Sequence, residues 1–311
     1  MKKNHDKLAE KISPEEMIEA LGRSGYLLEA RVEEALVSEA FVVEANTFYP
    51  DPLTGKGREL DICAVSAEPI DPDTDGPDTI YSFVVCECSN NAQPMAFLAK
   101  DWASTPFDAD KIHVSGMPDV VPGPGGSSTS VQATLDLYTF FHHFRTGRIA
   151  TQYCTFQRKQ KDAHEWMATH DADDHGSLSK LCDYIAWKKQ QEALIWAPAH
   201  DVADEPISLS FYYPVLVLQN DLYEARQDAH GKVRISKADH VLFRQSYALP
   251  SAGDFLINVV RESALPVLLN KIEGDRQEAA SRIRKLHRQD LRNAVEQLWG
   301  TRGHGKIPRP A

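Results

Sequence analysis

The segment Thr79–Ser89, TIYSFVVCECS, constrains the fold more than any other part of the chain because it is long and mostly apolar. A run of this kind is typical of a central β-strand that other elements cover on both faces. Glu87 lies near the end of this run, and charged groups are rarely buried without a partner. The segment therefore predicts a buried sheet and an acidic group that needs a partner.

Two further strands and two helices, the first of them a charged helix over residues 1–24, are predicted before this segment. Phe41–Tyr49 is rich in β-branched and aromatic residues and ends at a turn rich in Pro and Gly, while Arg58–Val65 alternates between apolar and polar residues. A helix is predicted from about Tyr26 to Glu39, because apolar residues recur there with helical spacing. This order of elements indicates an α/β or α+β layout.

The remainder of the chain is predicted to leave the core and return to it. The elements expected beyond Ser89 are a short helix over Pro94–Trp102, largely helical structure over 131–197, renewed strands from Ile207, and helices over Ser263–Ile272 and about Arg276–Trp299. We therefore expect an N-terminal part of the core at 1–105, a linker and helical insertion at 106–205, and a return to the core sheet with C-terminal helices at 206–311.

The composition is that of a globular protein and limits the classes of function. The 311 residues carry a formal net charge of -11. No apolar run approaches the ~20 residues that a membrane-spanning helix needs, so we expect no membrane partner. Five cysteines, an odd number, favour a reducing cytoplasmic location over a disulfide framework. The sequence lacks the glycine-rich motifs of P-loop and Rossmann proteins, which disfavours those two classes.

The charge is unevenly distributed along the chain. Residues 271–309 contain ten lysines and arginines against five acids, although the protein as a whole is acidic. Arg284, Arg288 and Arg292 recur every four residues and would share one face of a helix. We interpret this face either as an ordinary solvated helix surface or as a contact for the phosphate backbone of a nucleic acid.

Three carboxylates occupy positions that suit a metal site. Asp61 lies in the middle of the second predicted strand, Glu87 near the end of the third, and Glu29 on the helix before the first. Carboxylates at the ends of adjacent strands suggest a site for Mg²⁺, which proteins usually hold with one or two carboxylates plus substrate phosphates. Ordinary alternatives stay open, since Asp61 could instead pair with Arg58, and Glu29 could be a solvated helix residue.

Taken in order, the segments GYLLEARVEEAL (25–36), YPDPLTGKGRELDI (49–62) and VVCECSNNAQPMAFLAK (84–100) resemble the core of the PD-(D/E)xK nucleases. The resemblance implies an α/β fold with a restriction-endonuclease-like mixed sheet flanked by helices, which residues 214–226 would continue after the insertion. It also implies hydrolysis of phosphodiester bonds in DNA with Mg²⁺ or Mn²⁺. Many nucleases of this fold cut duplexes as dimers, so a homodimer is among the expected assemblies.

The resemblance also assigns roles to the three carboxylates. It makes Asp61 and Glu87 the metal ligands and catalytic acids of the site. Glu29 becomes the acid on the preceding helix that often completes such sites, and Glu33 competes for that position.

The chain departs from the family pattern at Ser89, because the family places a lysine two residues after the second acid. A hydroxyl group can form hydrogen bonds but supplies no positive charge. We therefore expect Lys100 to reach back into the site from the helix predicted around it, or Asn90 or Asn91 to position the attacking water. The candidate catalytic residues are Asp61, Glu87, Ser89 and Lys100.

Three functions are consistent with these features. The first is a metal-dependent DNA endonuclease. The second is a pseudo-nuclease that has kept the fold, has lost the lysine, and binds or scaffolds nucleic acid without cutting it. The third is a protein-interaction module with an acidic surface and no nucleic-acid partner.

Overall fold

The computed structural model is an α/β structure with one large mixed sheet and a few helices. It describes residues 11–52, 54–72, 78–103, 105, 108, 111–116, 120–122, 127–137, 147–159, 162–170, 172–195, 207–246 and 253–287. The α-helices in this part are Pro14–Arg23 (α1), Tyr26–Ser38 (α2), Val131–Thr134 (α3), Ala172–Ile195 (α4) and Leu265–Arg282 (α5). A 3₁₀ turn, Glu262–Ala264, precedes α5 and a π-helical turn, Ile283–His287, follows it.

The strands of the first half of the chain are Val42–Pro50 (β1), Gly57–Pro69 (β2), Thr79–Ser89 (β3), Met95–Asp101 (β4), His113–Ser115 (β5), Val120–Pro122 (β6) and Ser128–Ser130 (β7). Those of the second half are Arg148–Lys159 (β8), Asp162–Thr169 (β9), Ser208–Leu218 (β10), Leu222–Gln227 (β11), Val233–Ala238 (β12), His240–Ser246 (β13) and Asp254–Arg261 (β14). All but β6 and β7, which pair with each other, belong to one sheet.

The sheet places the three N-terminal strands beside a strand from the far end of the chain. The order of the strands is β1-β2-β3-β10-β14-β13-β8-β4-β11-β12, with β5 also on β10 and β9 also on β8. Strands β1, β2 and β3 are antiparallel neighbours, whereas β10 runs parallel to β3 and to β14. The prediction that residues 214–226 continue this sheet is therefore confirmed, since β10 and β11 both belong to it.

Helices cover both faces of the central strands. Apolar residues of α2 and α5 pack with Val84 and Cys86 of β3 on one face, and apolar residues of α4 pack with Val85 on the other. Val84 and Val85 belong to different cores because successive side chains of a strand point to opposite faces of the sheet. Both cores are apolar, so β3 and β10 are central strands, and the long apolar run predicted this for β3.

Two predictions of helix are wrong and one predicted break is absent. Residues Met95–Asp101 form strand β4 and not a helix, because they pair with β8 and β11. Within the segment 131–197, which was expected to be largely helical, Arg148–Lys159 and Asp162–Thr169 form β8 and β9. Pairing with β4 and β13 decides their conformation. The two helices expected at the C-terminal end are joined, since α5 runs through Gly274.

The middle segment therefore contributes strands to the main sheet as well as the long helix α4. That helix spans Ala172–Ile195 and packs on one face of the sheet, against β3 and β10. Within the described ranges, no helix is both long and apolar enough to span a bilayer.

Candidate active site

The candidate site lies where β2 and β3 stop pairing. Their antiparallel ladder runs from Pro69 opposite Thr79 to Ile62 opposite Cys86, and Asp61 and Glu87 are the next residues of the two strands. On the other side of β2 the ladder with β1 skips Asp61, where Asn46 of β1 has a left-handed φ of 53°. Asp61 thus occupies a local break in both ladders.

The two carboxylates fill this break and are held by backbone groups. The amide of Cys88 donates a hydrogen bond of 2.8 Å to Oδ2 of Asp61, and the amide of Asp61 donates one of 3.4 Å to Oε1 of Glu87. Each strand thus orients the acid of its neighbour. Both of these contacts join neighbouring strands and involve backbone amides.

Burial makes both carboxylates weak acids. Glu87 is only 1% exposed, and burial, with repulsion from Asp61, raises its pKa to about 7. Burial also raises the pKa of Asp61, although the hydrogen bond from Cys88 and the positive charge of Lys180 oppose this shift. A cation close to both groups would stabilise their charged forms.

That cation is Lys180, from helix α4. Its Nζ lies 2.9 Å from Oε2 and 3.1 Å from Oε1 of Glu87, and 3.9 Å from Oδ1 of Asp61. Burial disfavours the charge of Lys180, but the two carboxylates outweigh this effect and raise its pKa, which keeps the ammonium protonated. One helical turn earlier, the hydroxyl of Ser177 also forms a hydrogen bond with Glu87.

Glu29 belongs to the electrostatic surroundings of this pair. It lies half-buried in the first turns of α2, where burial and then repulsion from Asp61 and Glu59 raise its pKa. Glu33, its competitor on the same helix, is exposed. The structure therefore brings Glu29, Asp61, Glu87 and Lys180 into one electrostatic cluster.

The structure places Lys100 on β4 and Ser89 at the end of β3. Lys100 is exposed on β4 and faces Ile149 of β8 in the register, so it is not carried by a helix that reaches back. Ser89 ends β3 half-buried, and its backbone oxygen accepts a hydrogen bond from the amide of Gln219. The lysine beside the two acids is Lys180 and not Lys100.

The two asparagines that were expected to position water serve as structural ties. The amide nitrogen of Asn90 donates to the carbonyl oxygens of Arg23 and Ser24, 2.8 and 3.0 Å away, which connects β3 to the end of α1. The side-chain oxygen of Asn91 accepts from the amide of Asn220 at 3.0 Å, just beyond β10. Both side chains are therefore engaged in holding the ends of neighbouring elements.

The predicted basic face can be followed only in part. Nε of Arg284 donates a hydrogen bond of 2.7 Å to the carbonyl oxygen of Ile70, at the end of β2. Arg288 and Arg292 lie outside the described residues. Arg58, which could have neutralised Asp61, instead pairs with Asp51 and Asp183, both at 2.6 Å.

Sequence reasoning missed Lys180 and Ser177. Lys180 is separated from Glu87 by 93 positions and lies in SLSKL, a segment whose polar residues look like any helix surface. The spacing of three residues between Ser177 and Lys180, which places them on one helix face, was the signal available, but many surface pairs share it.

The donor set is compatible with Mg²⁺ but does not enclose a metal by itself. Within the described ranges, no three His, Cys, Asp or Glu side chains are grouped closely enough to hold a metal ion. Asp61 and Glu87 supply two carboxylates, and proteins commonly bind Mg²⁺ through one or two carboxylates while substrate phosphate and water complete the shell. These residues therefore fit a metal that binds together with a phosphate substrate.

Comparison of the chain with models of known families, with curated proteins and with solved structures yields no match.

Proposed function

We propose that the protein is a metal-dependent nuclease that hydrolyses phosphodiester bonds in DNA, with a site of the PD-(D/E)xK type. The observation that supports this proposal most is the position of Lys180, whose Nζ lies 2.9 Å from Glu87 and 3.9 Å from Asp61. Two acids on adjacent strands and one ammonium are the three groups that the family motif combines. Here the ammonium comes from α4, and migration of the lysine to another element is seen in this superfamily.

Each residue of the cluster has a role in this reaction. Asp61 and Glu87 would hold Mg²⁺ or Mn²⁺, and Glu29 would support them from α2. A metal held there would supply a way to activate water and to offset negative charge on the phosphate. Lys180 stays protonated beside the two acids, so its ammonium can donate hydrogen bonds to the attacking water or to the phosphate and stabilise the charge that develops there.

The contact between Lys180 and Glu87 also favours a second candidate, the pseudo-nuclease. Both carboxylate oxygens of the buried Glu87 accept hydrogen bonds from the ammonium of Lys180, which is the geometry of a structural ion pair. A protein that kept this pair only for stability would bind or scaffold nucleic acid without cutting it. The two candidates differ in what removal of the ammonium does to catalysis.

The experiment is a cleavage assay on plasmid and single-stranded DNA with Mg²⁺ or Mn²⁺. We expect the wild-type protein to cleave, and the double variant Asp61→Ala, Glu87→Ala and the single variant Lys180→Met to lose cleavage. Lys237→Met is the matched control, because Lys237 forms an ion pair of 2.6 Å with Asp221 outside the site. Cleavage that persists in the double variant would rule out the site. A wild-type protein that binds DNA in a salt-dependent manner without cutting it would favour the pseudo-nuclease.

A further inference from the structure

The position of a lysine on α4 is determined differently from that of a lysine in the strand motif of the family. Two residues after an acid, a strand lysine is placed by the backbone itself, because alternate residues of a strand share a face. Lys180 is 93 positions from Glu87, so only tertiary contacts of α4 determine where its Cα lies. Its long side chain has many rotamers, and an error in the helix position would be passed on to the ammonium.

Contacts that could fix the position of α4 come from strand residues on either side of the turn between β1 and β2. The hydroxyl of Tyr49 donates a hydrogen bond of 3.1 Å to the backbone oxygen of Lys180 itself. Three residues further along the helix, Asp183 accepts from Nη1 of Arg58 at 2.6 Å. Residues that flank the turn therefore contact α4 at Lys180 and at Asp183, which lies on the same face of the helix.

The turn end of this connection is also anchored. Nε of Arg58 lies 2.6 Å from Oδ2 of Asp51, and Oδ1 of Asp51 accepts from the amide of Thr54 at 2.8 Å. One guanidinium thus joins a carboxylate of the turn to a carboxylate of the helix. Because a guanidinium is planar and its donors point in fixed directions, it determines the distance between the two elements.

Ring packing restricts movement of the helix in the same place. The ring of Tyr49 makes an edge contact with Tyr184, with centroids 5.4 Å apart, and a tilted contact with Trp187 at 6.0 Å. Positions 180, 183, 184 and 187 lie along one face of α4, which is the face that the turn contacts. A helix rises 1.5 Å per residue, so a slip along its axis would break these contacts together.

We infer that Tyr49, Asp51, Arg58 and Asp183, here named the hairpin latch, are positioning residues that set the register of α4 and so hold Lys180 over Glu87. The inference rests on the proposed function, since the latch matters for catalysis only if the ammonium takes part in it. It assigns a task to the end of the β1–β2 hairpin, which supplies Tyr49, Asp51 and Arg58. Misplacement of a reacting group by about 1 Å can lower a rate about 100-fold.

The first test measures the surroundings of Lys180 without reference to nuclease activity. Competitive acetylation, read by peptide mass spectrometry, reports the reactivity of each lysine, and Lys237 serves as the internal reference. We expect Tyr49→Phe, Arg58→Gln and Asp183→Asn to raise the reactivity of Lys180 relative to Lys237 several-fold, because an ammonium displaced from Glu87 and Asp61 is more accessible to the reagent. Tyr49→Phe removes one hydroxyl group, so it provides a variant that keeps the packing of the ring.

Arg148→Gln is the matched control for a lost ion pair. Arg148 lies 2.9 Å from Glu224, and the exposure of this pair is similar to that of Arg58 and Asp183, but it joins β8 to β11. We expect this variant to lose stability without a change in the reactivity of Lys180. The inference is overturned if none of the three latch variants changes that reactivity, or if Arg148→Gln changes it equally.

The second test is DNA cleavage by the same variants. We expect the latch variants to lower kcat by up to about 100-fold with little change in KM, because they displace the ammonium and leave the acids in place. Arg58→Lys should not restore kcat, since an ammonium cannot bond Asp51 and Asp183 in the same fixed geometry. If the wild-type protein does not cleave DNA, the proposed function fails, while the acetylation result still decides whether the latch positions Lys180.

Discussion

The two halves of the candidate site are built in different ways. The strand half, Asp61 and Glu87, is held by backbone amides of β2 and β3 at the point where their ladder ends. The helix half, Ser177 and Lys180, is brought to the same place by α4, which Tyr49 of β1 contacts at Lys180 and Arg58 of β2 contacts at Asp183. A sheet can therefore set the geometry of the acids locally, whereas the cation needs a separate anchor.

The difference suggests a division of labour in the proposed nuclease. The strand half would bind the metal, and the helix half would act on the developing charge of the phosphate. If this division holds, changes in the strand half should affect metal binding, and changes in the helix half should affect the rate of cleavage. Four predictions follow from it in order of decreasing effect.

The largest effect is expected from Lys180→Met. Removal of one charged donor to a developing oxyanion typically lowers kcat about 100- to 1,000-fold. Binding of Mn²⁺, measured by calorimetry, should persist or strengthen, because the ammonium no longer competes for Glu87. Equal loss of rate and of Mn²⁺ affinity would show that the two halves are not separable.

Binding of Mn²⁺ should also depend on pH through the strand half. The pKa of Glu87 is raised to about 7 by burial and by repulsion from Asp61, and a carboxylate must lose its proton before it binds a metal. We expect the affinity to rise about tenfold per pH unit below pH 7 and to level off above it. In Glu87→Gln this dependence should disappear, and an unchanged pH profile in that variant would contradict the role of Glu87.

The unfolding free energy of the metal-free protein should report the same carboxyl group. Its folded pKa of about 7 lies above the ordinary value of 4.5, so the folded state keeps a proton that the unfolded state releases. The contribution of Glu87 to stability therefore falls by about 3 kcal/mol as pH rises from 4.5 to 7 and does not change further above pH 7. Urea titrations of the wild type and Glu87→Gln at pH 5 and pH 8 measure this change. The stability of the wild type relative to the variant should be lower at pH 8 than at pH 5, and equal differences at the two pH values would refute the prediction.

The smallest effect is expected at Glu29. Its carboxyl group is half-buried and interacts with Asp61 by repulsion, so Glu29→Gln relieves that repulsion and removes only a supporting charge. We expect the cleavage rate to change by less than about tenfold, which corresponds to 1.4 kcal/mol in the activation free energy. Glu33→Gln, an exposed residue of the same helix, is the control and should leave the rate unchanged. A loss at Glu29 as large as that at Glu87 would place Glu29 among the essential metal ligands.

The local parts of the fold could be predicted from the sequence. The bounds of β3, the helix α2, and the order of β1, β2 and β3 follow from apolar periodicity and from turn residues, which act over a few positions. Asp61 and Glu87 could be found for the same reason, since both lie in strands that are adjacent along the chain. Their closeness needs only short connections between antiparallel neighbours.

The contacts between distant segments were decided by the tertiary structure. The strands β4, β8 and β9 formed because partners in the sheet were available to pair with their backbones, and local periodicity does not record those partners. Arg58 pairs with Asp51 and Asp183 and not with Asp61, and Asp183 is 125 positions away along the chain. Lys180 lies beside Glu87 because α4 packs on one face of the sheet, against β3 and β10. The sequence by itself thus determined the two acids, and only the packing of α4 determined which cation faces them, since a position along a strand is set by neighbouring residues and a position across a core is not.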